Sequence, residues 1–474
     1  MHKELERRIK RYREWKISGG RMESVKVIHD LVWGPWLLLL FLGTGIFYTF
    51  KLKGFQIFHF RYWWKSTAGT LGNRDEEAKS QIATACTALA ATVGTGNIAG
   101  VATAIAAGGP GAVFWMWVSA FVGMAAAYGE TYLGIRYRYR GTDGQYICGP
   151  FVYLEQGLKS RGIGLLYAFF CVLASLGMGS MVQANSISDS FTYAFSLPPL
   201  ITGLAVTVLT MAVVFGGIGR ISEAASRLVP FSACLYMFLC GIVIFSCYDK
   251  VPGVFSEIVR EAFNFKSAAG GAAGYGMSKA MRYGVARGVF SNEAGLGSLA
   301  VLHGAAGETT AEEQGMWAIF EVFFDTIISC TLTALVILCI AGKSGAAGGM
   351  FYADGQTDGS AMIAACFSQC FGAAGGYLTA ISMALFAFAT IIAWFYLGRQ
   401  AVAYLTEHTG AGKVFLCFYG FVYLNAVFFG CVAKLELVWN LSDVFNGLMA
   451  VPNLIGILLL SREVKAPLRN RRKR

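Results

Sequence analysis

The chain has 474 residues, 55% of them hydrophobic and 14% charged, with positive mean hydropathy and a formal net charge of +11. Apolar runs of about 20 residues recur from Leu31 almost to the C-terminus, each long enough to cross roughly 30 Å of hydrocarbon, which excludes an ordinary soluble domain. The positive charge does not call for a nucleic-acid partner, because basic cytoplasmic loops give membrane proteins the same excess.

In chain order, the sequence predicts a basic segment over 1–30, a single transmembrane domain over 31–460 and a basic cytoplasmic tail over 461–474. Eleven spans are expected, at about 31–52, 82–107, 111–135, 163–186, 199–218, 228–247, 277–304, 316–341, 376–398, 413–432 and 438–460. The seventh is weakly hydrophobic. The fold class is therefore an all-α integral membrane protein. The 58 glycines suit helices that pack through small residues. The twelve cysteines lie mostly within the spans, with no CxxC pair or Cys/His ligand spacing, and read as small apolar core residues.

Placing the connection before the second span in the cytoplasm puts 22 Lys or Arg on that side and six on the other. The positive-inside rule then favours a cytoplasmic C-terminus in a bacterial cell membrane. Eleven spans leave the N-terminus outside, where the first 31 residues carry nine Lys or Arg. Two readings resolve that conflict. Translation starting at Met22 would leave only Lys26 outside, since Ser18-Gly19-Gly20-Arg21 can be encoded by a purine-rich ribosome-binding stretch. Alternatively, the segment is an amphipathic surface helix. No cleaved signal peptide is evident.

The second span carries Gly94-Thr95-Gly96-Asn97 at its centre. Gly costs about 1 kcal/mol against Ala in a helix interior, and Asn needs hydrogen-bond partners where water is absent. Unwound backbone at membrane depth survives where it is buried in protein or lines a cavity. Ser291-Asn292-Glu293-Ala294-Gly295-Leu296-Gly297-Ser298 places a similar break about 200 residues later. With the first span set aside, the two breaks fall in the first and sixth of ten helices. That is the pattern of five-plus-five inverted repeats, about 82–247 and 277–460, whose discontinuous helices hold a midplane substrate site. Free N–H groups at half-helix N-termini suit a carboxylate, and exposed carbonyls suit Na⁺. The contrary reading is that these glycines only permit close packing.

Three stretches also resemble motifs of the alanine/glycine:cation (sodium) symporter family: Thr92–Gly100, Gly108–Gly123 and Arg287–Ser298. The resemblance extends over about 30–460. It implies a LeuT-type core with one extra N-terminal helix, and Na⁺-coupled, or less often H⁺-coupled, uptake of alanine and glycine. It further implies a carboxylate site on Val93, Gly94, Thr95, Gly96 and Asn97. Gln183, Phe290, Asn292, Thr390 and Trp394 would complete the pocket, and Na⁺ would sit between Ala90, Val93 and Thr390. Ala389 stands where Ser is expected, removing one cation oxygen. Cys148-Gly149-Pro150-Phe151 and Ala126-Ala127 depart from the family pattern at positions that touch scaffold or gating.

Glu293 is either structural, bonding free amides across the broken helices, or a coupling carboxyl, since a charge at membrane depth is costly. Glu130 is expected at a helix end. Glu321 and Asp325, four apart, read as gating or packing residues, and the segment 345–360 as an external lid. No protein partner and no cofactor beyond Na⁺ are implied. No catalytic Ser/His/Asp set or HExxH can be assembled, and a transporter-fold sensor would need a longer regulatory tail.

Overall fold

The computed structural model describes residues 27–70, 76–141, 144–263, 272–343, 359–407, 409–433 and 435–467. The basic segment 1–26, most of the expected lid and the end of the tail lie outside the described residues. Apart from one two-stranded antiparallel hairpin pairing Tyr139–Arg140 with Tyr146–Ile147, the regular elements described are helical.

In order, the principal helices are α1 (Pro35–Lys51), α2 (Glu76–Thr92), α3 (Ala99–Gly108), α4 (Gly111–Tyr137), α5 (Arg161–Leu176), α6 (Gln183–Phe195), α7 (Pro199–Val214) and α8 (Gly217–Phe245). They continue as α9 (Ala272–Asn292), α10 (Ser298–His303), α11 (Ala311–Val322), α12 (Thr331–Lys343), α13 (Gly359–Phe371), α14 (Ala374–Thr406), α15 (Gly412–Val432) and α16 (Leu435–Leu459). The turns Gly177–Val182 and Phe323–Cys330 are π-helical and join α5 to α6 and α11 to α12.

Eight continuous helical stretches among the described residues are long and apolar enough to cross a membrane. Three of the eleven expected spans fall short of that measure, each for a visible reason. The runs 82–107 and 277–304 are interrupted, giving α2 with α3 and α9 with α10; α9 keeps 21 residues but is only weakly apolar, and α7 has only 16 residues. The chain is a multi-pass membrane protein.

Small residues bring the backbones together. A Cβ at Gly284 of α9 would collide with the Ala112 carbonyl of α4, and one at Gly288 with Ser119 Oγ. Such close approach supplies the van der Waals contact that holds helices together in lipid. Outward positions are the reverse: Leu39, Phe50, Leu204, Phe238, Phe245 and Phe421 are exposed, as expected where the solvent is hydrocarbon.

Candidate substrate and ion site at the helix breaks

At the first break the chain leaves α2 after Thr92, makes a single 3₁₀ turn over Thr95–Asn97 and resumes as α3. Gly94 sits at φ −134°, which any residue can adopt, so its glycine answers a need for space. A Cβ there would lie 2.5 Å from Thr390 Oγ1 and 3.2 Å from Gln183 Oε1. Gly96 likewise faces Ser291 Cα at 3.1 Å and the Phe290 ring at 3.4 Å.

Side chains occupy the freed backbone groups, one from the break itself and one from α6. Gly94 N–H donates to Asn97 Oδ1 at 2.9 Å, and Thr95 N–H donates to Gln183 Oε1 at 3.2 Å. Gln183 follows the π turn, and its amide donates to the Met178 carbonyl within that turn. Thr390 Oγ1 donates to the Ala90 carbonyl at 2.8 Å. Ala90, Val93, Gly94, Thr95, Gly96, Asn97, Gln183, Phe290 and Thr390 are thus drawn to one buried locus. The Thr95 hydroxyl is buried there without a partner.

The remaining expected residues border this locus. Phe290 stacks on Trp439 with ring centroids 5.0 Å apart, and the Arg287 guanidinium lies over both rings. Arg287 also pairs with Asp443 at 2.9 Å. Trp394 packs over Gly179, where no Cβ would fit, and its indole N–H donates to Glu293 Oε1 at 2.8 Å. Asn292 turns away from the first break: its amide donates to Thr326 Oγ1, and its oxygen accepts from Ala294 N–H.

The second break is made by backbone twist. Glu293, Gly295 and Gly297 have φ of 57°, 88° and 84°, a left-handed geometry that glycine tolerates and that strains Glu. Its freed groups are held by scaffold residues. Asn453 donates to the Gly295 carbonyl at 2.9 Å and to Glu130 Oε2 at 2.8 Å, Gly297 N–H donates to that same oxygen, and Tyr167 donates to the Leu296 carbonyl. Glu130 therefore does the amide binding expected of Glu293, while the observed side-chain bond of Glu293 reaches α14 through Trp394.

Glu321 and Asp325 separate in role. Glu321 lies 3.1 Å from His303, which also meets Gln314 at 2.6 Å, tying α10 to α11. Asp325, carried round by the π turn, reaches both breaks: Asn97 donates to Oδ1 at 2.6 Å, and Ser291 and Thr326 each donate to Oδ2 at 2.8 Å. Sequence reasoning missed Asp325 as the partner of Asn97, and missed Asn453 altogether. A signal existed: Asp443, Asn446 and Asn453 repeat at helical spacing within an apolar span. Two of the departures from the family motif, at Cys148 and at Ala126–Ala127, lie in scaffold. Cys148 Sγ donates to the Ala300 carbonyl, and Ala126 and Ala127 are buried in α4.

The model of the sodium:alanine symporter family matches residues 20–474. The sodium/alanine symporter AgcS of Methanococcus maripaludis is 41% identical over 447 residues, 92% of this chain and 94% of that protein. A Bacillus subtilis protein named "Probable sodium/glutamine symporter GlnT" is 38% identical, over 94% of this chain and 90% of its own. The fold is similar to the crystal structure of a mutant manganese transporter from Eremococcus coleocola, with a TM-score of 0.52 at 12% identity over 82% of this chain and 81% of that one. Near-complete coverage by the family model, with relatives aligned over nine-tenths or more of both chains, makes this chain a member of the sodium:alanine symporter family, transporters rather than enzymes.

Proposed function

We propose that this protein is a Na⁺-coupled symporter that brings small neutral amino acids, alanine and glycine, into the cell by alternating access. The observation that carries the reading is the convergence of Ala90, Gly94–Asn97, Gln183 and Thr390 on one buried stretch of unwound helix. The Gly94 and Thr95 amides are held by neutral carboxamide oxygens that a substrate carboxylate would replace with a stronger, charge-assisted bond. The Ala90 carbonyl and Thr390 hydroxyl, 2.8 Å apart, with the Val93 carbonyl, offer oxygen to a hard cation. With Ala389 alongside, the shell has one hydroxyl fewer than the resemblance leads one to expect. A proton as the coupling ion, carried by Glu293 or another buried carboxyl, is the alternative that follows.

The architecture that goes with this reading is a LeuT-type five-plus-five core preceded by one helix. It has eleven crossings, repeats over about 82–247 and 277–460, an external N-terminus and a cytoplasmic basic tail. Na⁺ entering from outside would order the first break, the amino acid would dock its carboxylate, and rocking of the bundle would expose both inward. One Na⁺ crossing about 100 mV contributes roughly 2.3 kcal/mol. A tenfold gradient adds about 1.4 kcal/mol, enough together for accumulation of several hundredfold.

The relatives do not choose between alanine and glutamine, since 41% and 38% identity are too close to decide. In this reading Phe290, stacked with Trp439, and Trp394, packed on Gly179, are the aromatic walls that would exclude larger side chains by overlap. A single methyl is worth about 1–3 kcal/mol of discrimination, so glycine and alanine should both be carried. The test is labelled alanine uptake into proteoliposomes under an inward Na⁺ gradient, compared with K⁺ and an imposed pH gradient. Accumulation with Na⁺ alone is expected. Accumulation with the pH gradient alone would move coupling to a carboxyl, and none under either condition would remove alanine as substrate.

A further inference from the structure

Beyond the helix breaks, α14 runs on to a cavity of about 520 Å³ that the transport path does not use. It lies between the hairpin at Ile147, the end of α14 and the start of α15. Gln400 follows Thr390 by ten residues, about 15 Å farther along the helix axis. With the breaks near the midplane, that is the depth where hydrocarbon gives way to headgroups. Arg399 and Lys413 line the cavity, and the ion pairs found among the described residues leave both without a carboxylate. Glu407, the acid in the lining, accepts a hydrogen bond from Tyr139. Gly412 and Lys413 open α15, where the cap residue Ala411 makes no side-chain bond and no acidic residue stands in the first turn. Their N–H groups and the positive end of the helix dipole are therefore open to an anion.

Gln400 adds a second requirement. It lines the same cavity at 6% exposure, its amide donates to Tyr396 Oη at 2.9 Å, and its Oε1 has no partner. A buried acceptor without a donor is unfavourable, and an ionised phosphate offers only acceptors. The occupant that satisfies every wall combines an anion with a hydroxyl. Apolar surface also leads away from the cavity. Val414 in its lining, with Phe418 and Phe421 four and seven residues on, is exposed along one face of α15. We propose that this cavity binds a phosphate ester bearing a free hydroxyl, the chemistry of a glycerophosphate headgroup. Its phosphate would sit on Arg399, Lys413 and the first turn of α15, and its hydroxyl would donate to Gln400 Oε1. The apolar face beyond Val414 favours a membrane lipid as the source, with acyl chains along Phe418 and Phe421. A bound headgroup would tie the end of the helix that carries Thr390 and Trp394 to its neighbour α15. The proposal goes beyond the symporter reading and is independent of the ion and amino acid carried.

The test is the melting temperature of the purified full-length protein in neutral detergent, titrated with short-chain phosphatidylglycerol. Three further probes are titrated alongside: phosphatidylmethanol, of the same charge but without a hydroxyl, phosphatidylcholine with the same chains, and soluble glycerol 3-phosphate. Phosphatidylglycerol should stabilise wild type at about tenfold lower concentration than phosphatidylmethanol, and phosphatidylcholine should have no effect. Arg399→Gln and Lys413→Gln should each raise the half-saturating phosphatidylglycerol about tenfold. Gln400→Leu should weaken phosphatidylglycerol to the level of phosphatidylmethanol and leave phosphatidylmethanol unchanged. Lys413 is exposed, so its variant carries the test if a variant at Arg399 or Gln400 does not fold. Glycerol 3-phosphate acting at the same concentration as the lipid supports the site and assigns it to the free ester. Phosphatidylcholine matching phosphatidylglycerol, a wild-type curve in Lys413→Gln, or wild type failing to distinguish phosphatidylglycerol from phosphatidylmethanol overturns the proposal and leaves the symporter reading intact.

Discussion

The two helix breaks solve one physical problem in opposite ways. Both free backbone groups inside a membrane-embedded bundle, where each unsatisfied group costs several kcal/mol. At the second break the freed groups are met by scaffold: Asn453, Glu130 and Tyr167 clamp Gly295, Leu296 and Gly297, and three left-handed residues fix the corner. At the first break the backbone is nearly unstrained, and neutral carboxamides of Asn97 and Gln183 hold its amides, groups that a charged ligand can displace. A corner locked by a buried carboxylate is built to stay, and one held by neutral acceptors is built to exchange partners.

Substitutions at the two sites should therefore fail differently. The largest effect is expected from Gly94→Ala, whose Cβ would meet Thr390 Oγ1 at 2.5 Å. Alanine uptake should fall at least about 100-fold, the equivalent of about 2.7 kcal/mol, while the protein stays monodisperse in size-exclusion chromatography. Asn453→Ala strips a donor from both Glu130 and the Gly295 carbonyl. It should cost about 3 kcal/mol of stability in thermal or denaturant unfolding, with the KM for alanine in surviving protein little changed. Gln183→Leu leaves the Thr95 amide without its acceptor, and should raise KM about tenfold with a smaller effect on Tm. The smallest change is expected from Trp394→Phe, which loses the bond to Glu293, at about 1–1.5 kcal/mol. A Gln183→Leu that chiefly unfolds the protein, or an Asn453→Ala that chiefly weakens substrate, would erase the distinction between the breaks.

Most of the first break was legible in the sequence, because glycines and an asparagine inside an apolar run violate both helix propensity and burial. The place of both breaks was legible for the same reason, and the helical character of the chain followed from apolar run length. The partners were less so. Gln183 and Thr390 came from a resemblance, since a polar side chain in a span does not announce which helix it faces. Asp325 was masked by the assumption of regular helix. Spacing of four puts it on the face of Glu321, but the π turn over Phe323–Cys330 rotates it toward Asn97 and Ser291. Glu130 and Asn453 are 323 residues apart in sequence, and only the packing of α4 against the second break brings them together. Glu293 looked like the natural amide ligand because it sits in the break, yet its left-handed backbone carries the side chain to Trp394 instead.

The most direct test is a structure determined with Na⁺ and alanine bound. The account predicts the alanine carboxylate within hydrogen-bond distance of the Gly94 or Thr95 amide, Gln183 Oε1 withdrawn from Thr95, and the clamp of Asn453, Glu130 and Tyr167 unchanged. Alanine seated elsewhere, or a second break that rearranges while Gln183 keeps its hold on Thr95, would contradict it.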